Sequence, residues 1–106
     1  MDITTTETLP GRRITSVKGG AVGSTVRTKH IGKDIGAGLK SLVGGELKSY
    51  SDMLTEARAQ ALSRMEEQAV ELGADALINL RFMTSSVASG ASEILAYATA
   101  VTTEPS

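Results

Sequence analysis

Between Ser51 and Gly73 the apolar residues recur with the period of a single helix face, and this stretch limits the folds open to the chain. At 100° per residue, Leu54, Ala57, Ala61, Leu62, Met65, Ala69 and Leu72 share one stripe, while Asp52, Glu56, Ser63, Glu66, Glu67 and Glu71 lie opposite. Ser51 or Asp52 is a natural N-cap, and Gly73 follows the last periodic residue as a C′ glycine does. About 20 residues rising ~1.5 Å each make a rod of about 30 Å, long enough to cross a small sheet. Such a stripe has to be buried against another layer, and the remaining segments read as strands.

Arg12 to Thr28 suits one long strand, carried by Ile14, Thr15, Val17, Val22, Thr25 and Val26, bent at Gly19-Gly20 and with a second break at Gly23. Ala76 to Thr84 alternates, with Ile78, Leu80, Phe82 and Thr84 on one face and Asn79, Arg81 and Met83 on the other. Ser85 to Ser92 reads as a hairpin loop of small residues, and Glu93 to Thr103 as a further strand. Ile35, Leu39, Leu42 and Val43 share a short helical face between Asp34 and Gly44. The Thr-rich residues 2–10 read either as a frayed terminus or as a short strand that pairs only when a neighbour is present. The expectation is one α+β domain over residues 1–106, an antiparallel sheet of about three main strands packed on one long helix, plus a short helix.

The last strand, Ile94-Leu95-Ala96-Tyr97-Ala98-Thr99-Ala100-Val101, is apolar or small on both faces, so both faces call for cover. One helix covers only one. Composition points the same way: of the hydrophobic 41%, 13 residues are Ala, each burying little area. At about 25 cal/mol per Å² so lean a core leaves little surplus over chain entropy. Part of the core is therefore expected between copies of the chain, which makes the chain its own partner.

Charge and composition exclude several classes. With 11 Lys+Arg against 12 Asp+Glu, no basic excess is available to displace counterions from nucleic acid. There is no Cys for a disulfide, a thiolate metal site or a thiol nucleophile. No run approaches the roughly 18 apolar residues of a membrane span. The first residues lack the basic-then-apolar pattern of a secretory signal, so a cytoplasmic location is expected. Gly32, Gly36 and Gly38 do not have the spacing of a nucleotide-binding loop.

Several ordered blocks then carry a family likeness. They are Gly44-Gly45-Glu46-Leu47-x-x-Tyr50, Ala57-Arg58-x-x-Ala61-Leu62-x-Arg64-Met65, Leu72-Gly73-Ala74-Asp75-Ala76, Arg81-Phe82 and Glu93-Ile94-x-Ala96-Tyr97-x-Thr99-Ala100-Val101. In this order and spacing, from about Leu9 to Val101, the chain resembles the YbjQ-like family of small bacterial and archaeal proteins. The resemblance implies a dodecin-like α+β fold assembled into a closed ring, usually a pentamer, and a family label of heavy-metal binding with largely unknown function.

The residues themselves give that label little to use. Soft metals favour sulfur and borderline metals favour imidazole. The chain offers the single His30 and four scattered Met, of which Met65 falls in the helix stripe. A metal ion is the one cofactor considered, and it would need His30 repeated about a ring axis. Arg58 falls inside the helix stripe, where a guanidinium must snorkel or meet a carboxylate; Glu46 and Glu93 are the candidates. Arg81 and Asn79 project from a sheet face and are solvated or pair across an interface. Tyr50 and Tyr97 offer apolar bodies with a hydroxyl that seeks a partner when buried. No residue has a recognisable nucleophile–base spacing, so a non-catalytic, ring-forming protein is expected, with heavy-metal binding or small-ligand carriage at inter-subunit crevices as alternatives.

Overall fold

The computed structural model describes residues 1–28 and 45–106, with the side chains of Thr28 and of residues 45–50 left aside. Along the chain come β1 (Asp2–Ile3), β2 (Arg12–Thr28), α1 (Gly45–Glu71), β3 (Ala76–Ala88) and β4 (Ala91–Pro105). The strands form one sheet in the order β1-β3-β4-β2. The β2–β4 and β3–β4 pairs are antiparallel, and β1 lies parallel to β3. The fold is thus α+β as expected, but the sheet is mixed and, among the described residues, has four strands. The predicted short helix lies outside the described residues.

The N-terminal segment pairs within its own chain, neither frayed nor waiting for a neighbour. Asp2 and Ile3 register with Ala76 and Leu77, and the Thr4 amide donates to the Leu77 carbonyl at 2.9 Å. β2 is one strand of 17 residues, as its β-branched residues predict. Its register slips between Ile14 and Ser16 and between Val17 and Gly19, where Gly19 adopts φ 131. No slip occurs at Gly23, which stands opposite Ala96 and has a different role. The stretch expected as a loop after Thr84 is strand through Ala88, closed by Ser89 and by Gly90 at φ 76. Small residues have weak strand preference, yet pairing with Ala91–Ile94 overrides it.

α1 begins six residues before the expected cap. No Pro interrupts residues 45–51, and Ser51 and Asp52 cost only a few tenths of a kcal/mol inside a helix, about the ordinary propensity spread. Its end is as expected. Gly73, at φ 79, donates to the Val70 carbonyl and Ala74 donates to that of Ala69, both at 3.0 Å, which is the Schellman pair.

The core lies between α1 and one sheet face. Ala57, Ala61, Met65 and Ala69 pack on Ala21, Leu77, Ile94, Ala96, Ala98 and Ala100. The buried helix residues are four apart, and four steps of about 100° overshoot a turn by about 40°. The buried line therefore winds around the helix along an i±4 ridge. Leu54, Arg58 and Leu72, which a helical wheel places inside the stripe, lie roughly 90° from that line at their own heights. All three are exposed.

Gly23 makes the close approach possible. A Cβ there would collide with the Ala61 carbonyl oxygen and the Met65 amide nitrogen, and would meet the Arg64 carbonyl carbon at 3.0 Å. A smaller cluster on the other sheet face joins Ala76, Ile78 and Val101 to Leu9 and Ile14. Extents of 57 × 24 × 16 Å and a radius of gyration of 17.6 Å, against about 13 Å for a compact chain of this length, make the molecule elongated.

Candidate functional site

β3 carries the feature that shapes the outer sheet face, the one turned away from α1. Asn79 adopts φ 57, and the register with β4 slips between Ile78, opposite Thr99, and Arg81, opposite Tyr97. This bulge inverts the alternation expected from the sequence. Arg81 consequently shares a face with Ile78, while Phe82 turns to the helix side, opposite Ala96. The N-terminal loop braces the bulge: the Asn79 and Leu80 amides donate to the Thr6 and Thr4 carbonyls, each at 3.0 Å.

Across the outer face, Val22, Tyr97 and Arg81 form one cross-strand row. Gly20, Thr99 and Ile78 form the next. Where Gly20 has no side chain, a crevice of about 410 Å³ opens, lined by Gly20, Val22, Asn79, Arg81, Tyr97 and Thr99 with the backbone between them. Arg81 Nη1 donates to the Thr5 carbonyl at 2.9 Å and to the Leu80 carbonyl at 2.7 Å. The guanidinium is held in place by neutral acceptors. Among the described residues no Asp or Glu lines the crevice.

Other candidates fall elsewhere. Arg58 is exposed and its Nη2 donates to Thr55 Oγ1 at 3.2 Å, so of the two outcomes expected its guanidinium reaches solvent and meets no described carboxylate. Glu93 cannot serve it, because Ile94 faces the helix and Glu93 therefore faces outward, opposite Val26 and Ser85. The side chains of Glu46 and Tyr50 and all of His30 lie outside the described residues. Tyr97 is 37% exposed in the crevice. Among the described residues no three His, Asp or Glu side chains gather as metal ligands. Met65 is fully buried in the core while Met83 is exposed on the opposite sheet face, so these two thioethers do not converge. The described donors do not fit a heavy-metal site.

Two further constellations escaped the sequence reading. Along the edge of β2 that no described strand pairs, Gln68 Oε1 accepts from the Val22 amide, Arg64 Nη1 donates to the Ser24 carbonyl at 2.6 Å, and Gln60 Oε1 accepts from Arg27 Nη2 at 2.9 Å. Val22 and Ser24 point to the same edge because they are two residues apart. Gln68 and Arg64 thus occupy two backbone groups of this edge, Gln60 holds the Arg27 side chain beside it, and the spacing of four among them was the signal available in the sequence. At one end of the sheet, Thr103 donates to Asp75 through its amide at 3.1 Å and its hydroxyl at 3.0 Å. Arg12 Nε donates in turn to Thr103 Oγ1 at 2.7 Å. The Thr103 amide foremost, then its hydroxyl and the Arg12 charge, hold the Asp75 carboxyl below its ordinary range against partial desolvation.

Comparison with known proteins gives one consistent result. A YbjQ family model described as "Putative heavy-metal-binding" matches residues 1–104. A UPF0145 protein of Methanosarcina acetivorans is 59% identical over 101 residues, 95% of each chain. One from Vibrio campbellii is 56% identical over 101 residues, covering 95% of this chain and 97% of that one. A crystal structure of a Pediococcus pentosaceus protein of unknown function, from the DUF74 family, superposes with a TM-score of 0.65 at 18% identity, covering 98% of both chains. That likeness speaks to the fold. No helix among the described residues is long and apolar enough to cross a membrane.

Proposed function

Because the chain belongs to the YbjQ family, whose UPF0145 members carry no assigned activity in their names, we propose from its geometry that it works as a non-catalytic homo-oligomeric ring, a pentamer as the dodecin-like resemblance implies. One observation carries the reading: β3 from Arg81 to Ala88 is exposed on both faces, and among the described residues no strand pairs its outer edge beyond Leu77. Phe82, Met83 and Val87 are 40%, 54% and 53% exposed there. Covering each supplies roughly 1 kcal/mol, half the value for full burial. From Phe82 to Ala88 the strand has neither a charge nor a Pro, the usual guards of a free edge.

The opposite edge is bonded at Val22 and Ser24 by Gln68 and Arg64, so the exposed β3 stretch is the surface this reading gives to assembly. A ring requires that β3 meet a different surface of the next copy, since contact with its own counterpart closes a dimer. Native mass spectrometry at micromolar concentration tests this. The expected result is a five-copy mass for the wild type, and smaller species for Phe82→Lys and Met83→Lys with unchanged far-ultraviolet circular dichroism. A monomeric or dimeric wild type, or variants that assemble as it does, overturns it.

The Arg81 crevice supports a second reading, carriage of a small ligand by the assembled protein. Heavy-metal binding rests on the family description and on His30 alone. Metal content of the purified protein and of His30→Ala decides it: a stoichiometric metal lost with the imidazole supports it, and retention or absence of metal removes it.

A further inference from the structure

We infer that the crevice between β2 and the β3 bulge binds a small aromatic monocarboxylate through Arg81, with the ring laid against Tyr97 and Val22. The inference rests on the carrier reading and not on the ring, because one chain supplies every lining residue. Four features converge.

Arg81 presents a fixed charge. Both of its bonds use Nη1, and among the described residues Nη2 and Nε have no acceptor. A carboxylate matches that remaining planar edge with two parallel hydrogen bonds. Among the described residues the charge also has no anion: the ion pairs there join Met1 to Glu66 and Arg13 to Glu104, and no described acid lines the crevice. One cation without a helix N-terminus or a second basic residue suits a monoanion better than a phosphate dianion.

The floor is apolar and aromatic. Tyr97 sits between Val22 and Arg81 in one row, so a ring stacked on it brings its carboxylate toward the guanidinium. Gly20 supplies the room; a Cβ there would meet nothing within 4 Å, and a longer side chain built from it would project into the space the ring needs. A volume of about 410 Å³ lies in the ordinary range for small-ligand pockets. Finally, Asn79 holds a left-handed conformation at the crevice wall, and such backbone is retained where surrounding contacts enforce it.

The test uses the full-length protein and saturation-transfer NMR, which reads weak ligands on large assemblies. Benzoate is the probe, benzamide its neutral isostere and inorganic phosphate the non-aromatic anion. Benzoate is expected to bind at least tenfold more tightly than benzamide, and phosphate at equal concentration should not displace it. Arg81→Gln should remove that preference. Gly20→Leu, which leaves the Arg81 bonds intact, should abolish benzoate binding without lowering the melting temperature. Equal binding of benzoate and benzamide overturns the carboxylate assignment and leaves the carrier reading standing. Binding of neither probe, or undiminished binding to Gly20→Leu, overturns both. Displacement by phosphate shows a general anion site and overturns the aromatic assignment.

Discussion

Replacing Gly23 by Ala tests how the helix is seated. The new Cβ would overlap main-chain atoms of Ala61 and Met65, which cannot swing aside as a side chain does. The helix must then rise by an ångström or more, along the line where Ala57, Ala61, Met65 and Ala69 meet Ala21, Ala96 and Ala98. Alanine contacts have no flexible ends to fill the gap, so the strain of overpacking adds to lost dispersion along the whole seam. Overpacking alone costs about 1–3 kcal/mol, and the backbone collision places this site at about 3 kcal/mol or above. That is a large part of a typical stability of roughly 5–15 kcal/mol. At about 4–8 °C per kcal/mol, the melting temperature should fall by at least 12 °C at fixed protein concentration. Thermal unfolding followed by circular dichroism measures it. Gly20→Ala, three residues along the same strand with nothing within 4 Å of its new Cβ, is the control and should stay within about 1 kcal/mol of wild type. Equal melting temperatures for the two variants would refute the close helix–strand contact.

Met65 is fully buried at the centre of the same seam, and Met65→Ala should cost about 2–5 kcal/mol in urea unfolding; less than 1 kcal/mol would mean that the seam is loose. Gln68→Ala removes the acceptor of the Val22 amide, a bond worth about 1 kcal/mol, so residue-resolved hydrogen exchange at Val22 should quicken about fivefold while the Tyr97 amide keeps its rate. Asp75 has a lowered pKa, so its stabilising contribution is present above the pKa it has when unfolded and is lost as pH falls through the lower folded value. Asp75→Asn should therefore lower stability near neutral pH and flatten the acid limb of the stability–pH curve; a limb as steep as the wild type's would exclude Asp75 as a source of that dependence.

The helix was legible because its period extends over five turns and a glycine marks its end. Its orientation was not. A helical wheel assumes a straight buried stripe, whereas the seam follows an i±4 ridge and turns away from Leu54, Arg58 and Leu72. β2 was readable as one strand through its glycines, since β-branched residues continue on both sides of them. Face parity in β3 was lost at Asn79. Asn tolerates a left-handed conformation, but Ile78-Asn79-Leu80-Arg81 alternates so well that nothing in the residue types announces an inserted position. The crevice inherits that gap. Arg81 and Tyr97 stood out individually, but only the bulge puts them opposite each other beside Gly20.

Gly20 and Gly23 are an odd number of residues apart on one strand, so they serve opposite faces. On the outer face Gly20 leaves a space, and on the inner face Gly23 lets another element enter one. The second effect reaches the sheet edge. Only a helix lying directly on β2 can extend Gln68 and Arg64 around the strand to its unpaired backbone groups. Edge closure and helix seating are therefore one structural event, and Gly23→Ala should disturb both. In that variant the Val22 amide should lose protection before global unfolding, at temperatures where circular dichroism still reports full helix. Val22 exchange that tracks global unfolding alone would separate the two effects. The β3 edge, unpaired by any described strand beyond Leu77, would then owe its proposed part in assembly to its own exposure, and not to closure of the other side.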